Sequence, residues 1–171
     1  MSSLQKVRSM LRWLGGLGAT LAITLVAARV VAQNRPPIEG AWKVVSYDIE
    51  FQDNGERRPS LGTRPNGYLI FGPQGRMMAY LEADGRKAPK TDAERAAAYR
   101  TLVAYTGKYR VQGKKWITKV DGAWNVEWIG TEQERSFNLN GDRLSVVAQW
   151  NPNPLYDGRM TRGHLTFERE K

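Results

Sequence analysis

Apolar and polar residues take turns along most of this chain after Glu39, which is the period of β-strands. EGAWKVVSYDIEF (39–51) predicts one long strand. Its alternation slips once: Trp42 and Val44 share one parity, then Val45, Tyr47, Ile49 and Phe51 share the other. A bulge or sharp bend near Val44 accounts for the slip. A polar loop (52–67) follows, and YLIFGPQGRMMAYLEADG (68–85) predicts a hairpin turning at GPQG. Further strands are expected at 105–112, 115–121, 132–140 and 143–150, with Asn140-Gly141-Asp142 as the turn between the last two, and at 161–169. One stretch breaks the alternation. KTDAERAAAYRTLVAYTG predicts a helix over about 92–104, with Thr91 or Asp92 as its cap and Asp92 and Glu94 early in it. Eight strands with short connections and one inserted helix predict an all-β, up-and-down antiparallel barrel, a size that holds one small ligand.

The first 32 residues follow a different pattern. Lys6, Arg8 and Arg12 precede an apolar run, Trp13–Ala28, and Val30 and Ala32 are the small residues a signal peptidase reads. The expected organisation is therefore a signal peptide (1–32), a short linker QNRPP (33–37) and one barrel domain (38–171), with export to a bacterial periplasm or the medium. The alternative is an inner-membrane anchor through residues 13–28, although that run falls short of the roughly 20 residues a span needs.

Charge and composition narrow the chemistry. Of 26 basic residues, four lie in residues 1–32, which hold no acid, so 22 remain against 17 acids, a net of +5 instead of +9. An exported protein rarely meets nucleic acid, so the positive balance points to solubility, an anionic membrane surface or an anionic ligand. The chain has no cysteine and one histidine, His164, which excludes metal-ligand spacings and any triad needing a second histidine. No catalytic residue, metal or cofactor is expected, and nothing marks an obligate protein partner. Parity directs His164, Glu132 and Glu134 outward, and Arg57-Arg58 sit in the polar loop.

One cation breaks the pattern. Arg135 shares its strand face with Phe137 and Leu139, both expected in the core. An unpaired buried guanidinium costs several kcal/mol, so Arg135 needs a partner or water. Three arrangements meet that need: pairing with Asp48 or Glu50, stacking on Tyr109 or Trp150, or facing a water-filled cavity where a ligand's carboxylate or phosphate meets it. Tyr105 and Tyr109 share the inward parity of their strand, and Leu144, Val146, Ala148 and Trp150 form one apolar face. Arg135, Phe137, Tyr105, Tyr109 and Trp150 are thus the candidate ligand-binding residues, with Met77 and Met78 as adaptable packing.

Gly40-Ala41-Trp42 resembles the G-x-W of lipocalins, and Arg169, on the strand with Leu165 and Phe167, matches the arginine that packs over that Trp. The pieces GAWKVVSYD, RPNGYLIFGPQGRMMAYL, AYTGKYRV, NVEWIGTEQERSF, NGDRLSV and GHLTFER resemble the bacterial and fungal lipocalin-like domain family, a calycin-type barrel, over residues 38–169. This chain departs from that family at Thr118-Lys119, where histidine is frequent, and at Val126, where proline is frequent. The resemblance implies a barrel with a cavity and closure of one end by Trp42 and Arg169. The leading functional expectation is an exported protein that binds a small apolar or amphipathic molecule, anionic ones included. The alternatives are an isomerase or cyclase acting on an apolar substrate through Arg135, Tyr105 and Tyr109, and an envelope interaction protein with a filled barrel.

Overall fold

In a closed barrel the inward half of each alternating strand supplies the core, and closure removes the unpaired sheet edges. A computed structural model, which describes residues 36–153 and 156–171, shows that arrangement. Its elements are β1 (Gly40–Phe51), β2 (Arg57–Pro59), β3 (Asn66–Phe71), β4 (Arg76–Glu82), α1 (Asp92–Tyr99), β5 (Leu102–Gln112), β6 (Lys115–Ala123), a 3-10 turn (Val126–Trp128), β7 (Glu132–Asn140), β8 (Arg143–Ala148), β9 (Asn151–Pro152) and β10 (Met160–Arg169). Residues 37–171 make one compact unit. The expected leader (1–32) and the first residues of the expected linker lie outside the described residues.

Eight of these strands pair in chain order, β1-β3-β4-β5-β6-β7-β8-β10, and β10 returns to β1 to close the barrel. The closing register runs from Trp42↔Arg169 to Phe51↔Thr161. The two short strands extend the ladder: β2 pairs with β1 at Asp48–Glu50, and β9 pairs with β10 at Met160 and Thr161. All of these pairings are antiparallel.

The slip in β1 is a bulge. Val44 pairs with Phe167 and Ser46 with Thr166, which leaves Val45 unpaired and 39% exposed. Val45 therefore does not join the inward row expected of it, whereas Ile49 and Phe51 are buried. The extra residue shifts the parity of the rest of the strand and turns Tyr47 toward the interior.

The helix ends at Tyr99 instead of near residue 104. Thr91 and Glu94 form a reciprocal capping box at its start, but none of its residues is buried. Without a packed face, eight residues have little to hold them helical. Leu102 and Val103 instead pair with Glu82 and Leu81 of β4.

One end of the barrel is packed solid. Trp42 is completely buried, donates its indole N–H to the Ile38 carbonyl at 2.7 Å, and lies beneath the Arg169 guanidinium at 4.1 Å. Arg169 also donates to the Glu39 and Pro37 carbonyls at 2.9 and 3.1 Å. Gly40 has φ of +124°, and a Cβ there would stand 3.0 Å from Arg169 Nη1, which is the local reason for glycine two residues before Trp42. At Gly107, where the β5–β6 register shifts, a Cβ would meet the Lys119 carbonyl at 2.2 Å.

Candidate functional site

Beyond that packed layer the interior opens into a cavity. Tyr47, Leu69, Ala79, Leu81, Val103, Tyr105, Trp116, Trp128, Arg135, Val146, Ala148, Leu165 and Phe167 line it. About 50 Å³ is open to the centres of water-sized molecules, and the surrounding void, counted out into solvent, is about 460 Å³. A single water needs roughly 10–15 Å³ on the first measure, so the space holds several waters or one small organic group. No carboxylate and no imidazole is in the lining.

Among the described residues of the lining, Arg135 alone is charged. It projects inward from β7, is 9% exposed, and pairs across the sheet with Trp116 of β6 and Ala148 of β8. Its Nη1 donates to its neighbour's carbonyl, Glu134 O, at 2.8 Å, and its Nη2 to Gln133 Oε1 at 3.3 Å. The guanidinium lies 5.8 Å from the centre of the Trp128 ring. A guanidinium carries about five N–H donors, so these two bonds leave others for the cavity. Of the three arrangements open to Arg135, neither pairing nor stacking takes the expected partner. Glu50 faces outward, where Arg162 donates to it at 2.7 Å, and the stacking ring is Trp128.

Trp128 sits on the 3-10 turn after β6. It packs edge-on against Tyr105 at 5.4 Å and Trp124 at 4.9 Å, and is partly exposed, so it forms a rim of the opening. Tyr47 reaches the same space from β1. Gly163, diagonally across on β10, makes room for it, since a Cβ there would stand 3.0 Å from Tyr47 Cε2. Burial raises the pKa of both Tyr47 and Tyr105, and the nearby Arg135 charge opposes that rise. Both phenols therefore stay neutral and able to donate a hydrogen bond at ordinary pH.

Of the expected site residues, Arg135 and Tyr105 meet in the cavity. Phe137 is buried in the core against Trp116, at 5.9 Å, and is not part of the lining. Tyr109 packs on Phe71 at 4.9 Å and donates to the Gly72 carbonyl at 3.3 Å, away from the cavity. Trp150 lies beyond the end of β8 and takes the Arg162 guanidinium over its ring at 4.4 Å. Four aromatic residues of the lining were not foreseen as ligand contacts: Tyr47, Trp116, Trp128 and Phe167. Trp116 carried the same signal as Tyr105, an aromatic on the inward parity of its strand.

His164 does not face free solvent. Its Nε2 and Arg162 both hold Glu50, on the outer face of β1 and β10, with Arg57 at 3.4 Å. Arg162 and His164 together pull the Glu50 carboxyl from the usual 4.5 to about 2. A carboxylate with a depressed pKa contributes stability that is complete above its unfolded value and is lost as pH falls through the folded one. Acid unfolding should therefore show a Glu50 contribution that disappears between about pH 4.5 and 2. Glu50→Gln should lower the melting temperature at pH 7 and flatten its fall with acid. Parallel curves for variant and parent down to pH 2 would contradict this assignment.

A closed eight-stranded antiparallel barrel with one packed end and an interior cavity is the architecture of ligand-binding barrels of the lipocalin type, a class that generally takes small hydrophobic molecules. The lipocalin-like domain model matches residues 39–170, and the chain belongs to that family. No curated protein matches the chain.

Proposed function

We propose that this protein binds a small, largely apolar carboxylic acid inside the barrel, and that it does so after export, in the periplasm or outside the cell. The observation that carries the reading is Arg135: a buried guanidinium with no acidic partner among the described residues, facing a cavity otherwise walled by aliphatic and aromatic side chains. Leaving a charge so placed is costly unless water or a ligand meets it, and a carboxylate matches the planar fork with two parallel bonds. Leu69, Leu81, Val146, Leu165 and Phe167 supply the apolar contact area. The net positive charge of residues 33–171 favours the approach of anions and of an anionic envelope surface.

Isothermal titration with benzoate and with its neutral relative benzyl alcohol tests the reading. Benzoate should bind at least tenfold more tightly, and added salt should weaken it. Equal affinity for the two would remove the anionic part of the proposal, and binding of neither would support a filled barrel. Export has its own test. N-terminal sequencing of the protein from its host's envelope or medium should begin at Gln33; an intact Met1 or Ser2 start in the membrane fraction would support the anchor.

A further inference from the structure

Trp116 is 1% exposed, lines the cavity, and its indole Nε1–H is buried without a hydrogen-bond partner among the described residues. An unpaired buried donor is uncommon, because it loses its water without compensation. Its position adds meaning. Trp116 on β6 stands directly across from Arg135 on β7, and both project inward. Directly opposed side chains on neighbouring strands are near enough to share one small partner. The ring is well fixed, with Phe71 edge-on at 5.2 Å and Phe137 at 5.9 Å. The polar groups among the described lining residues are then a guanidinium, the indole N–H groups of Trp116 and Trp128 and two neutral phenols, with no anionic acceptor among them.

Building on the Arg135 reading, we infer that Trp116 is the second arm of the site: its indole N–H and the Arg135 guanidinium together receive the two oxygens of one carboxylate. Arg135 supplies charge, and Trp116 supplies direction and selects for an acceptor on its side of the cavity. The competing occupant is a water bridging Trp116 to Thr118 Oγ1, the other unpartnered buried atom on the inward row of β6.

The indole resonance of Trp116 in ¹⁵N-labelled protein decides between them. It is the peak absent from the Trp116→Phe spectrum or, should that variant not fold, the one with contacts to Phe71 and Phe137. Benzoate should move this resonance downfield and benzyl alcohol should move it much less. Trp116→Phe should weaken benzoate about tenfold or more, the worth of a hydrogen bond to a charged group. Benzoate that binds in an Arg135-dependent way while the resonance stays in place overturns the inference and leaves the Arg135 reading intact. No binding of benzoate at all overturns both.

Discussion

Arg135→Leu should cut benzoate affinity roughly a hundredfold while leaving the fold as stable as the parent or more so. The two halves of this expectation have separate physical causes. Truncating one partner of a buried, hydrogen-bonded charge pair costs about 2–5 kcal/mol of binding, and about 2.7 kcal/mol is a hundredfold. The stability half follows from what Arg135 lacks. Its partners are a backbone carbonyl, the Gln133 amide oxygen and the Trp128 ring, so its removal strands no buried acid. Even whole buried ion pairs are often replaced by apolar residues of similar volume with no loss of stability, because the desolvation cost of the charge goes with them. Affinity for benzyl alcohol should change little. Calorimetry and thermal melting of the same two proteins give both readouts. A stability loss of roughly 3–5 kcal/mol with unchanged benzoate affinity would mean that Arg135 is a structural residue, and the ligand reading would fall.

Trp42→Ala carries the largest expected loss of stability, about 3–5 kcal/mol. Against a typical total of roughly 5–15 kcal/mol, that is a large share. Trp42 is completely buried, its N–H holds the Ile38 carbonyl, and its ring supports Arg169. The substitution opens a cavity at the packed end and leaves that carbonyl without its donor. Arg169→Ala should cost less, about 0.5–2 kcal/mol for the lost cation–π contact. Neither residue lines the cavity, so benzoate affinity of the folded protein should survive both changes. Chemical denaturation gives the two losses directly. A Trp42→Ala protein as stable as Arg169→Ala would show that the Trp–Arg stack, and not burial of the indole, holds this end together.

The strand order and the barrel were legible in the chain because alternation is a local property: each inward residue announces itself through its neighbours two positions away. The same logic put Arg135 and Tyr105 inside and the slip in β1 near Val44. It misplaced Val45, because a bulge must leave one residue unpaired and parity alone does not say which one. It overextended the helix, since Leu102 and Val103 suit a helix locally and are taken by β4 instead. Trp128 lay beyond its reach: a 3-10 turn between strands has no period that aims a side chain, and only the folded barrel brings that ring to Arg135. Height along the barrel was equally invisible. Parity separates inside from outside but not the packed end from the open one, so Phe137 and Tyr109 read the same as Tyr105 and settled in the core instead. Whether Arg135 had an acid to pair with was likewise a question of three dimensions. Glu50 is on the neighbouring parity of β1, and the bulge that turns Tyr47 inward also keeps Glu50 on the outer face, held by Arg162 and His164.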